Sequence, residues 1–576
     1  MKRLTRRDFL RASALSMGAV AVSTGLSGCL LDSDHRSVAF SHGVASGDPL
    51  QDGVILWTRA EPDHDRDRPV SVAWEVATDD AFENLVHSGT TQASREHDFT
   101  VKVDVRGLMP GTLYYYRFRT SRRTSRVGVT RTLPEGDVSQ VKLAVVSCAH
   151  YPAGYFNVYR EIGQRDDLDA VVHLGDYIYE YSSDATSYGA EDAEAMGRTF
   201  PADNNLELLT LAQYRRRYAI YRADEDLQAL HARLPFIAVW DDHEVANDTW
   251  RDGAENHNDG EGEFASRKLQ ALKAYFEWMP IRPVTEGNET EIYRTFRFGN
   301  LVDLHMLDTR IIGRDQQLDY LDYLGQSGLD TERFMADLSD PNRTLLGAEQ
   351  LLWLQSALGG ATGTWQVLGQ QVLMGRMNLP AEMLLAIATG ELDGLPETMA
   401  QLAELKARQL QGDPTLTEAE LTRINTVAPY NLDAWDGYPY EREVLLAVAR
   451  QLDRNLVVLA GDTHNAWASN LRDLEGNPVG VEFATASVSS PGLEAYLGLP
   501  PEMVAAAEQA IGLLVDDLDY LNINQRGYLV VTFEPEQARA DWHFVDTVKS
   551  RDYSEDASRA VSRRVPVGGR QLETPA

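Results

Sequence analysis

Two hydrophobic patterns follow one another along the chain. Between residues 38 and 134, short runs of β-branched and aromatic residues (54–58, 70–76 and 99–105) are separated by clusters of glycine, proline and aspartate. Such runs predict β-strands joined by turns. This N-terminal part is therefore predicted to form a small all-β domain over residues 38–134.

The segment around Tyr114 adds detail to that prediction. Tyr114 follows the sequence Leu-Met-Pro-Gly-Thr-Leu, which is similar to the tyrosine corner of immunoglobulin-like and fibronectin-type β-sandwiches. In such a corner the hydroxyl group bonds back to nearby backbone. We therefore expect a β-sandwich in which Tyr114 has a structural role and no catalytic one.

From residue 141 onward, short apolar runs alternate with helical stretches, which is typical of an α/β (α+β) fold. The predicted strands are 141–146, 170–174, 236–240, 302–307, 365–368 and 456–460, with a late edge strand at 527–533. These elements predict a second domain over residues 141–548. Its stretch from about 380 to 424 is amphipathic and is predicted to be a helical insertion beside the core, with a lid as the less favoured alternative. Residues 549–576 are predicted to be a polar tail.

Residues 1–29 have the features of an export signal and are excluded from the fold. The pair Arg6-Arg7 precedes a weakly apolar run rich in alanine, serine and glycine, which resembles a twin-arginine signal. A short transmembrane anchor is the disfavoured alternative, because the run is too polar and too short. The run ends in Leu-Ser-Gly-Cys29, which resembles a lipoprotein box. We expect an exported protein, periplasmic or at the cell surface, with the twin-arginine translocase as a partner during export and a lipid anchor through Cys29.

Composition narrows the function. The 576 residues include 87 acidic and 54 basic ones, for a net charge of −33. This excess argues against a stable nucleic-acid partner, because phosphate contacts need a basic surface. An anionic substrate would need a locally positive site, and bound metal ions are the simplest source. The chain has two cysteines, and lipidation of Cys29 would leave Cys148 as a lone thiol in an oxidising compartment.

Two strand ends carry possible metal ligands in the first part of the second domain. Cys148 follows the strand at 141–146. We favour the role of metal ligand for it over that of a small buried hydrophobic residue. His150 follows two residues later, and a ligand and a hydrogen-bonded histidine near the surface have equal weight for it. After the next strand, Gly175 permits a tight turn, so Asp176 and Tyr179 are expected at the sheet edge where ligands bind. Asp176 is predicted to bridge two metal ions, with a helix cap as the alternative.

Two further strand ends have the same character. Asp241 and Asp242 follow the strand at 236–240, and adjacent aspartates repel unless cations neutralise them. A helix cap and a surface acidic cluster are the alternatives. Asp242 is assigned to a metal and His243 to proton donation. Asp462 and His464 follow the strand at 456–460 and are predicted to be metal ligands.

Together these strand ends resemble the alkaline phosphatase D (PhoD-like) family of calcineurin-like metallophosphoesterases. The matching segments are 147–148, 175–179, 240–244, 307–310, 368–371 and 461–464, with 40–49 and 56–59 in the N-terminal domain. The resemblance implies a calcineurin-like two-sheet β-sandwich core flanked by helices and preceded by the small β domain. It also implies twin-arginine export, which agrees with the N-terminus.

The resemblance further implies hydrolysis of phosphate monoesters and diesters with iron (Fe³⁺) and calcium (Ca²⁺), although other divalent metals remain open. The implied metal ligands are Cys148, Asp176, Tyr179, Asp242, Asp462 and His464. The first three would hold iron with help from one of the last two, and Asp242 with further carboxylates would hold calcium. Two features depart from the family pattern, namely His150 and the insertion near 380–424.

The predicted reaction is in-line attack of hydroxide on a small phosphate monoester or diester, with the metal ions supplying the hydroxide. His243 would protonate the leaving alkoxide. Arg310 would clamp the phosphate through its planar fork, with an internal salt bridge as a nearly equal alternative, and Asp308 would orient the loop. The alternatives for the whole protein are a narrow phosphodiesterase, acting on phospholipid-derived or nucleotide diesters, and a non-catalytic surface binding protein.

Overall fold

The computed structural model describes residues 36–326 and 328–575, which contain twenty-six strands and thirteen α-helices. The strands are β1 (Val38–Ala39), β2 (Val44–Gly47), β3 (Gly53–Arg59), β4 (Glu61–Pro62), β5 (Val70–Ala77), β6 (Leu85–Ala93), β7 (Thr100–Arg106), β8 (Leu113–Arg119), β9 (Gly128–Arg131), β10 (Val141–Val146), β11 (Ala170–His173), β12 (Phe236–Ala238), β13 (Arg294–Phe298), β14 (Val302–Met306), β15 (Leu324–Gly325), β16 (Gly328–Leu329), β17 (Trp365–Gly369), β18 (Asn378–Pro380), β19 (Val427–Pro429), β20 (Asn455–Ala460), β21 (Ala466–Arg472), β22 (Pro478–Ala484), β23 (Leu518–Asn522), β24 (Arg526–Phe533), β25 (Gln537–Val545) and β26 (Val561–Pro566). The helices are α1 (Asn157–Gly163), α2 (Ala193–Met196), α3 (Leu211–Arg222), α4 (Glu225–His231), α5 (Phe264–Trp278), α6 (Thr331–Leu338), α7 (Gly347–Gly359), α8 (Ala381–Thr389), α9 (Leu395–Leu410), α10 (Glu418–Asn425), α11 (Pro439–Gln451), α12 (Leu493–Tyr496) and α13 (Pro501–Leu514). The predicted export signal and Cys29 lie outside these ranges.

Two large sheets form the centre of the molecule. The first has nine strands in the order β26-β25-β24-β10-β11-β12-β2-β3-β7, and the second has seven in the order β13-β14-β17-β20-β22-β21-β23. Strands β10, β11 and β12 run parallel in the first sheet, as do β14, β17, β20 and β22 in the second. This agrees with the predicted two-sheet core.

Alternation along the central strands explains how the sheets are covered on both faces. In β20, Val457 and Leu459 lie in the same apolar cluster as residues of the nine-stranded sheet, whereas Leu456 and Val458 lie in a second cluster. Successive side chains of a strand point to opposite faces, so β20 is buried on both. Helices α1, α3, α4 and α5 contribute to the first cluster, and α7, α9, α11 and α13 to the second.

The N-terminal segment is all-β, and its strands form two layers that share one apolar cluster, in agreement with the predicted small β domain. Strands β2, β3 and β7 extend the nine-stranded sheet, and Gly47 of β2 pairs in parallel with Phe236 of β12. Strands β6, β5, β8 and β9 form a separate four-stranded sheet. Strand β3 is buried on both faces, with Leu56 in the N-terminal apolar cluster and Trp57 in the main core. The predicted boundary between residues 134 and 141 is thus a change in the sequence pattern, and strands from both sides of it belong to the nine-stranded sheet.

A buried ion pair fastens this junction. Arg294 Nη2 donates to Asp48 Oδ1 over 2.6 Å and its Nε donates to Asp48 Oδ2 over 3.0 Å. The backbone N–H of Arg282 also donates to Asp48 Oδ2 at 2.7 Å. Elsewhere in the segment, the backbone N–H of Met109 donates to the Tyr114 hydroxyl at 2.8 Å, the bond that the predicted tyrosine corner requires.

Two C-terminal expectations have different outcomes. Helices α8, α9 and α10 occupy the stretch predicted to be helical; Met399 and Leu402 are buried in the second apolar cluster, and Lys406 Nζ bonds Asp516 at 2.7 Å. These helices therefore pack beside the core. The prediction of a polar tail from residue 549 is wrong in one respect, because β26 pairs antiparallel with β25 and Val565 is buried. The sequence of β26 has few apolar positions, which hid this edge strand.

Among the described residues, none of the helices has both the length and the apolar character that crossing a membrane requires.

Candidate metal centre and active site

The carboxyl ends of parallel strands from both sheets meet at one place. Ser147, after β10, pairs with Ser487, after β22, so the two sheets are joined directly at this edge. The residues that follow the converging strands are Cys148 after β10, Asp176 and Tyr179 after β11, Asp241, Asp242 and His243 after β12, Asp308 and Arg310 after β14, and Asp462 and His464 after β20. Because these side chains come from both sheets, they surround one buried volume.

Backbone turns direct these side chains inward. Four of the residues have positive φ angles, namely Cys148 (61°), Asp176 (55°), Asp462 (63°) and His464 (61°). This left-handed region is uncommon for residues other than glycine, and it concentrates at functional sites. Gly175 has φ 104°, and a Cβ atom there would lie 2.4 Å from the backbone nitrogen of Asp241. Only glycine fits this turn.

A first group of possible metal ligands combines three chemical types. The ligand atoms of Cys148, Asp176 and His464 all lie within 4.8 Å of one another. The Tyr179 hydroxyl lies 2.9 Å from Asp176 Oδ2 and 3.2 Å from His464 Nε2. All four side chains are buried. Thiol, phenol, carboxyl and imidazole groups thus share one small volume.

Hydrogen bonds fix the ring of His464. Its Nδ1 lies 2.7 Å from the carbonyl oxygen of Pro491, which also accepts from the Tyr188 hydroxyl at 2.9 Å. Since a carbonyl only accepts, Nδ1 carries the proton and Nε2 presents its lone pair to Tyr179. Burial lowers the pKa of His464 to about 3, so the ring is neutral. A neutral imidazole held by its second nitrogen is the form that ligates metals.

A second group shares Asp176 with the first. The ligand atoms of Asp176, Asp242 and His243 lie within 4.8 Å of one another. Asp176 Oδ1 and Asp242 Oδ1 are buried and have no hydrogen-bond partner among the described residues. Burial, together with the carboxylates of Asp241 and Asp242, raises the pKa of Asp176 well above its ordinary value. Unpartnered buried oxygens are costly, and cations would satisfy them, so the residues of both groups fit metal ions, and Asp176 belongs to both groups.

His243 is held from its other side by a glutamate. Its Nδ1 lies 2.7 Å from Oε2 of Glu180, which is fully buried. Burial lowers the pKa of His243, but the carboxylates of Glu180 and Asp242 outweigh it and raise the pKa well above the ordinary value. The bond at Nδ1 leaves Nε2 as the nitrogen that can act in the site. That nitrogen could donate a proton, as predicted, or ligate a metal.

Arg310 lies inside a cluster of aspartates. Its side chain is fully buried, and its Nε, Nη1 and Nη2 donate to Asp241 (2.5 Å), Asp433 (2.8 Å) and Asp462 (3.0 Å). All three nitrogens are therefore occupied, which favours the internal salt bridge over the phosphate clamp. Asp308 Oδ1 accepts from the backbone N–H of Arg310 at 2.9 Å, consistent with the predicted orienting role.

Asp462 belongs to a third group. Its ligand atom lies within 4.8 Å of those of Asp241 and Asp242. Burial raises the pKa of Asp462 to about 7 even though Arg310 opposes the shift. The six predicted metal ligands therefore fall into linked groups, in which Asp176 and Asp242 are shared and Asp462 lies on the side of Arg310.

Comparison with known proteins agrees with this geometry. Residues 143–542 match the family model of the PhoD-like phosphatases, and residues 25–134 match the model of the PhoD-like phosphatase N-terminal domain. The chain belongs to the PhoD-like phosphatase family. It is 34% identical over 563 residues to alkaline phosphatase D of Bacillus subtilis (strain 168), covering 94% of this chain and 85% of that one.

A solved structure confirms the fold. The structure of PhoD matches with a TM-score of 0.73 and 32% identity, covering 93% of this chain and 92% of the other. The predicted family, fold class and enzyme class are confirmed. This PhoD-like protein is a metal-dependent phosphoric ester hydrolase.

Several residues of the site were not predicted. Glu180 and Glu244 directly follow Tyr179 and His243 in the sequence. This position in the predicted motifs could have indicated a place in the site. Glu244 accepts from the backbone N–H groups of Asp176 (3.0 Å) and Asp241 (2.7 Å), so it fastens two strand-end turns together. Asp433 follows no strand of either large sheet, and nothing in its local pattern marks it.

His150 lies outside the three ligand groups. It is fully buried, and its Nε2 lies 2.7 Å from the carbonyl oxygen of Tyr188. Burial lowers its pKa well below the ordinary value. The structure favours the hydrogen-bonded histidine over the ligand, but the expected position near the surface is wrong, because the side chain is fully buried.

Proposed function

We propose that the protein acts as an alkaline phosphatase and phosphodiesterase on small phosphate esters, at a site that holds Fe³⁺ and Ca²⁺. The observation that carries the proposal is the pair of ligand groups sharing Asp176, in which one carboxylate oxygen of Asp176 and one of Asp242 have no hydrogen-bond partner among the described residues. A carboxylate placed between two ligand sets suits a two-metal hydrolase. The similarity to alkaline phosphatase D supports the monoester activity.

The donor chemistry supports a division between the two metals. Cys148, Tyr179 and His464 would hold iron together with Asp176. A thiolate sulfur and a phenolate oxygen are donor atoms that suit a highly charged transition metal. Asp242 and Asp462 would hold calcium, which prefers oxygen. When bound, such ions polarise phosphoryl oxygens and lower the pKa of water, so that hydroxide is available near neutral pH.

The residues of the chain would supply the remaining steps. His243, held at Nδ1 by Glu180, would donate the proton at Nε2 to the leaving oxygen. Arg310 would keep Asp241 and Asp462 in position and would not touch the phosphate. Glu244 would maintain the distance between the turns at Asp176 and Asp241.

Hydrolysis of bis-p-nitrophenyl phosphate and p-nitrophenyl phosphate, each with and without a chelator, tests this proposal. We expect turnover of both esters, lost on chelation and restored by iron with calcium. The ratio of the two rates gives the preference for diester or monoester. Elemental analysis of the purified protein identifies the metals. Two results would overturn the proposal. One is fully metallated protein that hydrolyses neither ester, and the other is protein that keeps its activity after a chelator has removed its metal.

We further propose that the protein works outside the cytoplasm after export by the twin-arginine route, with a lipid anchor at Cys29. The support is the sequence of residues 1–29, in particular Arg6-Arg7 and the cysteine after Leu-Ser-Gly. Fractionation of cells that produce the full chain tests export, with Arg6-Arg7→Lys-Lys as the variant expected to stay inside. Detergent partitioning of Cys29→Ala against the unchanged chain tests the anchor. If the unchanged chain and Cys29→Ala are both found in the aqueous phase, the anchor is refuted.

A further inference from the structure

Three tyrosines form one wall of the site. We call Tyr181, Tyr188 and Tyr496 the tyrosine wall, because the ring of Tyr188 contacts the rings of the other two. Tyr188 and Tyr496 stack with centroids 5.8 Å apart and planes 24° apart, and Tyr181 and Tyr188 lie 6.2 Å apart at 60°. Separations of this size are typical of attractive aromatic pairs. The three rings therefore form one continuous surface.

The tyrosine wall adjoins the proposed proton donor at one end and a proposed metal ligand at the other. The Tyr181 ring lies 5.2 Å from the ring of His243, edge to face. At the other end, Tyr496 lies 6.4 Å from the ring of His464 and Tyr188 lies 5.9 Å from it. A leaving group bonded to an oxygen near His243 would extend next to these rings.

The wall is both accessible and held in place. Tyr496 is 55% exposed, and Tyr181 and Tyr188 are half-buried. The segment before Tyr496 is anchored, because the Ser490 hydroxyl donates to the Cys148 carbonyl oxygen at 3.0 Å and the Ser489 hydroxyl to that of His150 at 2.8 Å. Exposed aromatic rings that are rigidly held beside a reaction centre indicate a binding surface.

We propose that the tyrosine wall binds the leaving group of the substrate and selects esters whose leaving group is a planar ring, such as an aryl or a nucleoside group. This inference rests on the proposed function. The physical reason is that a planar ring can stack or meet the tyrosines edge to face, whereas a puckered saturated ring of equal size cannot. Acyclic polyol esters would lack this contact.

Two substrates separate the effect of a planar leaving group from the effect of its reactivity. Benzyl phosphate and cyclohexylmethyl phosphate have leaving alcohols of similar size and basicity, so the bond-breaking step is nearly matched. We expect kcat/KM to favour the benzyl ester by about 3- to 10-fold, as one or two aromatic contacts would give. In Tyr181→Leu and Tyr496→Leu the preference should fall toward unity, mainly through KM. The Phe variants at both positions should keep it.

Controls separate this inference from the proposed function. Tyr440→Leu removes an exposed tyrosine of α11 and should leave the preference unchanged. Competitive inhibition of the unchanged protein by benzylphosphonate and cyclohexylmethylphosphonate should show the same preference without any variant. Hydrolysis of both esters with no preference, or a preference that survives both Leu variants, would overturn the inference and leave the proposed function intact. Failure to hydrolyse any ester in the metallated state would overturn both.

Discussion

The bond between Glu180 and His243 predicts a selective loss of activity in Glu180→Gln. Glu180 accepts from Asn247 N at 2.7 Å and Asn256 Nδ2 at 2.8 Å through Oε1, while its Oε2 faces His243 Nδ1 at 2.7 Å. A glutamine has the same shape but one acceptor. If its oxygen serves the two asparagines, its amide N–H₂ group faces His243.

His243 must then accept at Nδ1 and keep its single proton at Nε2 as a neutral ring. The change removes one charge-assisted hydrogen bond between buried groups, typically worth about 1.5–3 kcal/mol. At 1.36 kcal/mol per factor of ten, this corresponds to about a 10- to 150-fold loss of rate for esters that need the proton. His243→Ala removes the donor altogether and should cost about 10²- to 10⁴-fold on the same esters.

The assay is kcat/KM over a series of substituted phenyl phosphates and alkyl phosphates, plotted against the pKa of the leaving alcohol. The loss in Glu180→Gln should be small for p-nitrophenyl phosphate and should grow as the leaving group becomes more basic. Metal content should not change. A uniform loss across the series, or a loss of bound metal, would refute the proton-donor reasoning and point to His243 as a ligand.

Glu441→Gln provides a matched control for this experiment. Glu441 is also buried and accepts three hydrogen bonds, from the Thr344 hydroxyl (2.8 Å) and from the backbone N–H groups of Leu345 (2.5 Å) and Leu346 (3.0 Å). None of these three partners belongs to the candidate ligand groups. The control should lower stability without changing the dependence on the leaving group.

Three further changes have separate expected outcomes. Asp176→Ala should lose metal and activity together, which elemental analysis and turnover measure, and a fully active, fully metallated variant would contradict the shared-ligand position. Asp48→Asn leaves the largely buried side chain of Arg294 without its charge partner, so urea unfolding should show a loss of about 3–5 kcal/mol, whereas an unchanged midpoint would show that the pair does not stabilise the junction. Tyr114→Phe removes the acceptor of the Met109 N–H and should cost about 0.5–1.5 kcal/mol in the same assay with unchanged activity; a loss of activity would contradict its structural role.

The position of the candidate ligands was predictable because it depends on local rules. An apolar run that ends in a glycine turn and a polar residue places that residue at the carboxyl end of a strand, as for Asp176 after Gly175. Parallel strands bring such ends to the same edge, so Cys148, Asp176 and Asp242 could be assigned together. Tyr114 was predictable for the same reason, since its partner Met109 is five residues away.

The unpredicted features depend on contacts between distant segments. An internal salt bridge was an alternative for Arg310, but its partner Asp433 lies 123 residues away, and neither local sequence indicates which residue would pair with it. The joining of β2 to β12 is a second example, because a strand buried on both faces has the same local sequence in a small sandwich and in a large sheet. Strand β26 is a third, since its place at the edge requires little apolar surface.

The charge balance of the site connects folding with metal binding. Around the centre, the carboxylates of Asp176, Asp241, Asp242, Asp433 and Asp462 are accompanied by the guanidinium groups of Arg310 and Arg314. The two guanidinium groups cannot balance five carboxylates, because the charge of a protonated His243 is already balanced by Glu180, and bringing like charges together in a buried volume is unfavourable. Metal ions at the two groups that share Asp176 would compensate the remaining charge, and their binding energy would then contribute directly to folding. The folded protein should therefore be more stable with its metals bound than without them, since a ligand that binds only the folded state stabilises it.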